Sequence, residues 1–254
     1  MAEKEPKVIA VCGKGGVGKT SISALITKVL VAEGKQRILA IDADPAVGFA
    51  IALGVEVTRT VDDIRNDLIA RTREGSREDK ISILSELDYE VFKAMIERNG
   101  FAFLAIGRPE TEGCYCRVNT FLKEIIESLA KHFDYVVIDG EAGIEQVNRR
   151  VMEKISHLLL ISDSSYKGIN VIKTIKEVAD SGVMNYERAG VILNRVKEVN
   201  EKARIDLGDL ELLGCMMEDE MIRSYDIEGR SLLEFPEGRS TGVLREALQK
   251  FGVI

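Results

Sequence analysis

The chain has 254 residues, of which 45% are hydrophobic and 30% are charged, enough for one sizeable core, so we expect a single domain over residues 1–254. Lysine and arginine number 35 against 42 aspartates and glutamates, and the net charge of −7 disfavours a nucleic-acid partner. The first residues lack the pattern of a secretory signal, and no apolar run approaches the roughly 18 residues that cross a bilayer, so we expect a cytoplasmic protein without a membrane partner.

Short β-branched runs alternate with longer helical patterns along the chain. The runs cover residues 7–12, 37–42, 101–107, 135–140, 157–162 and 188–194, and residues 210–216 are a further candidate. Nearly continuous apolar strands separated by helices are typical of a parallel sheet that is covered on both faces. We therefore predict a three-layer α/β fold whose mostly parallel central sheet has about seven strands.

A charged stretch, residues 57–99, lies between the second and third predicted strands. Its apolar residues follow helical spacing, as Val61, Ile64 and Leu68 illustrate. We predict two amphipathic helices, inserted at one end of the sheet and joined by a turn at 73–79. This insertion is either a solvated helical pair or a docking face for a partner, and the sequence leaves both open.

The segment GKGGVGKT, residues 13–20, follows the first strand and precedes a helical pattern. It fits the phosphate-loop motif G-x-x-x-x-G-K-[ST] in the strand–loop–helix context that this motif requires. Glycines let backbone N–H groups surround a phosphate, and the helix directs its positive end at the anion. Lys19 is then placed at the β- and γ-phosphates and the Thr20 hydroxyl on Mg²⁺. The predicted nucleotide-binding residues here are Gly13, Lys14, Gly15, Gly16, Val17, Gly18, Lys19, Thr20 and Ser21.

Lys14 is a second lysine inside this loop. The sequence KGGVGKT resembles the deviant Walker A motif of the P-loop family that includes the MinD and ParA ATPases and the nitrogenase iron protein. The resemblance implies an ATPase in which Lys14 reaches across a nucleotide-sandwich homodimer to the phosphates bound by the partner. A lysine supplied in trans ties hydrolysis to dimer formation. Lys14 and Lys19 are therefore candidate catalytic residues, with a solvated loop charge as the alternative for Lys14.

Aspartates follow two of the predicted strands, at the edge where ligands of open α/β sheets gather. Asp42 and Asp44 stand in IDADPAVG, which resembles the first switch of the same family, and Asp139 stands in YVVIDGEAG, which resembles its Walker B strand and second switch. The resemblance implies that Asp44 orients or deprotonates the attacking water and that Asp42 and Asp139, with Thr20, serve Mg²⁺. A strand-terminal aspartate that only caps the next helix is the alternative.

Asn194 ends the apolar run RAGVILN. An amide carries a donor and an acceptor side by side and can pair with the N6/N7 edge of adenine. The family uses an asparagine at the matching place for the base, whereas a simple turn asparagine is the alternative. Residues 213–229 also resemble the family's base-flanking stretch, except that Met217 stands where a proline is usual.

Cys114 and Cys116 are separated by one residue in GRPETEGCYCRVN, residues 107–119. Thiolates suit Zn²⁺, Cu⁺ or Ni²⁺, and a two-fold axis near the motif would bring two such pairs together as the four ligands of a shared site. The following helical pattern favours thiolates, because a helix start lowers thiol pKa values. Buried packing is the alternative for this pair, and it is what we expect of Cys12 and Cys215 in their apolar runs.

The same segment closely resembles the GRPxxxGCYCxxN sequence of the CooC family, ATPases that serve nickel insertion into carbon monoxide dehydrogenase, and the resemblance extends from Lys7 to the last helix. It implies that Cys114 and Cys116 bind Ni²⁺ or Zn²⁺ at the interface of a homodimer that forms with ATP or metal. The expected client is carbon monoxide dehydrogenase, acetyl-CoA synthase or a related metalloenzyme. The expected ligands are ATP or ADP, Mg²⁺, and Ni²⁺ or Zn²⁺.

Two other classes of ATPase stay open. Cys114 and Cys116 from two chains could hold an iron–sulfur cluster, as in an electron carrier similar to the nitrogenase iron protein, although that protein takes its cysteines from separate places. A positioning ATPase similar to MinD or ParA would use residues 242–254 at a membrane surface. Arg245 and Lys250 against Glu246 give that segment little net positive charge, so we expect a terminal helix packed on the core.

Overall fold

The computed structural model describes residues 5–35, 37–74, 87–108, 116–140, 144–198 and 205–254. Eight strands in these ranges form one sheet. The strands are β1 (Lys7–Gly13), β2 (Ile38–Asp42), β3 (Ile96–Arg98), β4 (Phe101–Ala105), β5 (Tyr135–Asp139), β6 (His157–Ser162), β7 (Arg188–Val196) and β8 (Glu211–Met217). Their order across the sheet is β3-β4-β2-β5-β1-β6-β7-β8. Only β3 and β4 pair antiparallel, and every other neighbouring pair is parallel.

Helices connect the parallel strands. The α-helices of the described ranges are α1 (Lys19–Ala32), α2 (Gly48–Leu53), α3 (Val61–Glu74), α4 (Leu87–Ala94), α5 (Cys116–Ala130), α6 (Ile144–Arg150), α7 (Tyr166–Val178), α8 (Glu220–Glu228) and α9 (Arg239–Phe251). A π-helical turn, Ala179–Val183, extends α7, and a 3₁₀ turn, Leu232–Glu234, precedes α9.

The sheet separates two hydrophobic cores, because successive side chains of a strand point to opposite faces. In β1, Ile9 and Val11 pack in the core that α1, α2 and α9 cover. Val8, Ala10 and Cys12 pack in the other core, beneath α3, α4, α5, α6 and α7. The predicted three-layer fold with a mostly parallel sheet is therefore confirmed.

The segment 57–99 differs in one respect from its prediction as two helices. It does contain α3 and α4, but residues 96–98 form β3, the antiparallel edge strand. This strand is short and its Glu97 and Arg98 are exposed, so it lacks the apolar run from which a strand could be predicted. The predicted turn at 73–79 lies mostly outside the described residues.

The last helix packs on the core, as expected. Leu244, Leu248 and Phe251 of α9 are each at most 1% exposed. Within the described ranges, every helix is too short or too polar to span a bilayer.

Strand register brings the polar strand ends together. Asp42 at the end of β2 lies opposite Asp139 at the end of β5. Strand β1 lies between β5 and β6, and Gly13 at its end lies opposite Ile161 of β6. The glycine-rich loop after β1 therefore leaves the sheet between the ends of β5 and β6, at the edge where ligands of parallel sheets bind.

Candidate functional site

The loop after β1 depends on glycine at two points. A Cβ on Gly13 would lie 2.1 Å from the carbonyl oxygen of Ile161, so any side chain there would collide with β6. Gly18 directly precedes α1 and lies in the left-handed region at φ 89°, and a Cβ there would lie 2.6 Å from Asn194 Nδ2. By contrast, a Cβ on Gly15 or Gly16 would meet nothing within 4 Å. The loop is thus fixed against the sheet at its ends and open in its middle, which fits a cradle for phosphate.

Both loop lysines have partners within the chain. Lys19 Nζ donates a hydrogen bond to the carbonyl oxygen of Lys14 at 3.3 Å, so it folds back over its own loop. Lys14 Nζ lies 3.6 Å from Asp163 Oδ2, just beyond the end of β6. The structure therefore brings the two lysines to one loop and gives Lys14 an acidic partner that the sequence did not predict.

Two buried carboxylates lie beside the loop. Asp42 is fully buried, and its Oδ2 accepts hydrogen bonds from the N–H groups of Phe49 and Ala50 at 2.9 and 3.3 Å. Burial, together with the negative charge of Asp139, nevertheless raises the pKa of Asp42 to about 7. Burial likewise raises the pKa of Asp139 to about 6, and the negative charge of Asp44 adds to the rise. Hydrogen bonds from the hydroxyls of Thr20 and Ser23 and the positive charge of Lys19 oppose it.

This donor set fits Mg²⁺. Hard divalent cations prefer carboxylate and hydroxyl oxygens. Asp42, Asp139 and the Thr20 hydroxyl are three such donors next to the phosphate loop, and because burial raises the pKa values of both carboxylates, a bound divalent cation would favour their ionised forms. The Ser23 hydroxyl, which the sequence did not single out, donates to Asp139 Oδ1 at 2.9 Å and orients that carboxylate.

Asp44 lies beside this pair at the start of the loop that follows β2. Its N–H donates to Asp42 Oδ1 at 3.1 Å, and its own Oδ1 accepts from the N–H of Ala46 at 2.8 Å. The carboxylate is half-buried at this edge of the sheet. The position is compatible with the predicted role towards water.

A cavity of about 450 Å³ opens between α1, the end of β7 and α8. Asn194 lines it and is 8% exposed, and its Nδ2 donates to the carbonyl oxygen of Val17 at 2.8 Å. Among the described residues this is the side-chain hydrogen bond that Asn194 makes, and an amide has an acceptor and a second donor hydrogen besides. Ser21 lines the cavity from α1, and Met217, where the family has a proline, adds apolar surface beside Ile222.

Three residues of this region were missed by the sequence analysis: Asp163, Ser23 and Arg195. Asp163 follows an apolar strand just as Asp42 and Asp139 do, and that shared pattern could have found it. Arg195 comes directly after Asn194 and donates through NH1 to the carbonyl oxygen of Gly16 at 2.8 Å. Polar residues at the end of an apolar strand are thus the sequence pattern that could have indicated Asp163 and Arg195 as residues of the site.

The Cys-x-Cys segment is described only at its ends. Cys114 lies outside the described residues, and Cys116 is the first residue of α5, with a side chain that is likewise outside the description. In the described part of the chain, no three or more His, Cys, Asp or Glu side chains form a cluster suited to a metal ion. Cys12 is fully buried and burial raises its pKa to about 12, in line with the expected packing role, and Cys215 is partly buried against the same core.

Arg65, which is buried, and Arg150, which is half-buried, hold the ends of that segment. Arg150 NH2 donates to the carbonyl oxygen of Gly107 at 3.0 Å, and Arg65 Nε donates to Asn119 Oδ1 at 2.8 Å. Arg150 also pairs with Asp62, whose pKa burial raises although the charges of Arg150 and Arg65 oppose that rise. Residues 107 and 119 are thus both tied to one charged cluster between α3 and α6.

Comparison with known proteins identifies the family. The family model described as "AAA domain" matches residues 6–187. The chain belongs to this family. It is also 38% identical over 237 residues to an uncharacterized ATP-binding protein of Methanocaldococcus jannaschii, covering 91% of this chain and 92% of that relative.

Two further similarities place this AAA-domain protein among its relatives. It is 29% identical to the carbon monoxide dehydrogenase accessory protein CooC of Rhodospirillum rubrum, with 88% of each chain covered. Its fold matches that of the septum site-determining protein MinD of Pyrococcus horikoshii, solved with Mg-ADP, at a TM-score of 0.69 and 21% identity over 96% of this chain and 95% of that one. The protein is therefore a P-loop ATPase of the AAA-domain family with a MinD-like fold.

Proposed function

We propose that the protein is an ATP-dependent homodimeric switch that binds Ni²⁺ or Zn²⁺ between its subunits and assists maturation of the metal centre of carbon monoxide dehydrogenase or a related enzyme, such as acetyl-CoA synthase. The observation that carries this proposal is the pair Cys114 and Cys116 in a chain that is 29% identical to CooC over 88% of its length. Each chain supplies two thiolates, and a tetrahedral site needs four ligands.

The contacts at 107 and 119 support a built binding segment. One end is held by a buried guanidinium group and the other by a half-buried one, since Arg65 is 4% exposed and the side chain of Arg150 is 16% exposed. Arg150 ends α6, which begins five residues after Asp139, so the helix that holds residue 107 follows the predicted second switch in the chain. We infer that a change of nucleotide state alters how the segment is held.

The nucleotide site accounts for the switching step. N–H groups of the loop and the Lys19 ammonium hold the phosphates, and Asp44 orients the attacking water and takes up its proton. Asp42, Asp139 and Thr20 would hold Mg²⁺, which would supply positive charge against the phosphates. Lys14 completes the site of the partner subunit, so ATP favours the paired state and hydrolysis releases it.

Metal analysis of the purified dimer tests the proposal. We expect one Ni²⁺ or Zn²⁺ per two chains, and a loss of high-affinity binding in Cys114→Ser and Cys116→Ser, measured by competition with a chelator. Cys215→Ala is the matched control, because this cysteine lies in β8 and packs against the core. Unchanged metal affinity in both motif variants would refute the metal role.

The same preparation separates the remaining classes. A brown protein with cluster absorbance after anaerobic purification would identify an iron–sulfur carrier instead. Association with liposomes in the presence of ATP, with no metal bound, would identify a positioning ATPase. ATPase activity that persists in Lys19→Ala would contradict the assignment of the phosphate loop itself.

A further inference from the structure

The end of β7 carries an irregularity that the ATPase assignment does not explain. Leu193 pairs with Cys215 of β8 and Val196 pairs with Met217, so two residues of β7 oppose one residue of β8. This is a β-bulge, and Arg195 within it has a left-handed backbone, with φ 56°. Such a conformation strains any residue other than glycine, and strain of this kind is concentrated at functional sites.

The bulge lets two consecutive side chains of β7 contact the phosphate loop. In a regular strand, neighbouring side chains point to opposite faces of the sheet. Here Asn194 Nδ2 donates to the carbonyl oxygen of Val17, and Arg195 NH1 donates to the carbonyl oxygen of Gly16, each at 2.8 Å. Adjacent residues of β7 therefore hold adjacent carbonyl groups of the phosphate loop.

Holding a carbonyl group also fixes the next N–H group. A trans peptide unit is planar, and its C=O and N–H point in opposite directions. When the Gly16 carbonyl is held towards β7, the N–H of Val17 points away from β7, and the same relation links the Val17 carbonyl to the N–H of Gly18. These N–H groups belong to the loop that binds phosphate.

The loop needs such restraint because glycines border both peptide units. Gly16 has φ 81° and Gly18 has φ 89°, and glycine visits positive and negative φ about equally well. Rotation of either peptide unit is therefore freer on its glycine side, although Val17 restrains the other side, and a half turn would direct a carbonyl oxygen at the phosphates.

We propose that Arg195 is a positioning residue of the phosphate loop, which holds the Gly16 carbonyl outward and so keeps the Val17 N–H directed at the bound nucleotide. This inference rests on the ATPase activity alone and needs neither the metal nor the dimer. Arg195 acts through the backbone of Gly16 and Val17.

Binding of Mg-ADP by variants of Arg195 tests the proposal. We expect Arg195→Ala and Arg195→Gly to bind Mg-ADP about fivefold to tenfold more weakly in calorimetric titrations, the effect of one ordinary hydrogen bond. The KM for ATP should rise by a similar factor and kcat should change less, because ground-state contacts to phosphate are lost. Arg195→Lys, which keeps one donor, should recover part of the affinity.

The Ala and Gly variants separate positioning from stability. Glycine tolerates φ 56° and alanine does not, so Arg195→Gly should unfold at a higher temperature than Arg195→Ala, while both lose the same affinity. Lys197→Ala is the matched control, as it removes an exposed cation two residues along the same segment and should bind within twofold of wild type. Binding within twofold in both Arg195 variants, or losses that follow unfolding temperature, would overturn the proposal.

Discussion

Lys14 Nζ lies 3.6 Å from Asp163 Oδ2 of the same chain, with 30% and 32% of the two side chains exposed. Burial would raise the pKa of Asp163, but hydrogen bonds from Ser165 and the charge of Lys14 bring it below its ordinary value. The lysine that the family resemblance directs to the partner's phosphates is therefore paired within its own subunit. Its release is a step that ATP-dependent pairing of subunits would have to include.

Asp163→Asn should make that release easier. An exposed ion pair contributes about 1 kcal/mol or less, so its loss should lower the concentration of a non-hydrolysable ATP analogue needed for dimer formation by about fivefold at most. The asparagine oxygen can still accept from the N–H of Ser165, which Asp163 now binds at 3.1 Å. Sedimentation velocity across an analogue titration measures the midpoint.

Asp206→Asn is the control for removal of an acidic group. It breaks another exposed pair, with Lys173 at 3.3 Å, in the segment between β7 and β8. Its midpoint should match that of wild type. A midpoint for Asp163→Asn that is unchanged or higher would show that the intrachain pair does not compete with dimer formation.

Affinity for Mg-ADP should rise with pH. A carboxylate must be ionised to bind Mg²⁺, and the pKa values of Asp42 and Asp139 are raised to about 7 and about 6. Asp42 is largely protonated at pH 6 and Asp139 is about half protonated there, and both are largely ionised at pH 8. We therefore expect about tenfold tighter binding at pH 8 than at pH 6, and little change above that.

Asp42→Asn should have a flatter pH dependence than wild type, because the titration of ADP itself is common to both proteins. Asp134→Asn, just before β5 and in an exposed pair with Arg37, should keep the wild-type dependence. Calorimetry in two buffers with different ionisation enthalpies measures the protons released. An equal pH dependence in wild type and Asp42→Asn would contradict the assignment of Asp42 to Mg²⁺.

The sequence predicted the layers of the fold and the phosphate loop for physical reasons. Buried parallel strands must be apolar along their whole length, so the runs at 7–12 and 157–162 stand out, whereas the three residues of β3 do not. The loop was recognisable because glycines, lysine and threonine occupy fixed positions between a strand and a helix.

The contacts across the site were not predictable in the same way. Asp163 and Arg195 reach the loop because β6 lies beside β1 and β7 lies beside β6. The order of strands in a sheet cannot be predicted from the local residue pattern of each strand. The bulge at Arg195 depends on pairing with β8 rather than on any residue preference. Pairwise contacts between distant strand ends therefore required the structure, although the residue types at those ends were visible from the start.

His157 should make the protein less stable in acid. Its Nε2 lies 3.1 Å from the carbonyl oxygen of Phe251, and its Nδ1 lies 2.7 Å from Ser156 Oγ. Burial lowers the pKa of His157 below the ordinary 6.5, and the positive charges of Arg188 and Lys7 lower it further. The hydrogen bond to Phe251 and the negative charge of Glu187 raise the pKa and so offset part of this shift. A depressed pKa means that the unfolded chain binds the proton more readily, so stability falls as pH drops below about 6.5.

His157→Gln should remove this part of the pH dependence. The variant loses the packing of the His157 ring against Phe251, whose centroids are 4.7 Å apart, and this loss of stability is the same at every pH. The difference in unfolding free energy between wild type and variant should shrink as pH falls from 7 to 5, because only wild type loses the contribution of the neutral histidine. Urea unfolding at several pH values measures it. His132→Gln, at an exposed position, controls for removal of a histidine. A difference that grows towards acid would reverse the predicted sign.

Asp62→Asn should destabilise the fold strongly. Asp62 and Arg65 are 5% and 4% exposed, and Arg150 pairs with the same carboxylate. Removing the negative charge takes the paired carboxylate from Arg150 and a nearby counter-charge from the buried Arg65, at a cost of about 3–5 kcal/mol. Glu5→Gln breaks an exposed pair with Lys154 at 2.7 Å and should cost far less, because solvent screens that pair. Urea unfolding of both variants gives the comparison, and similar costs would show that the buried cluster contributes no more to stability than a surface ion pair.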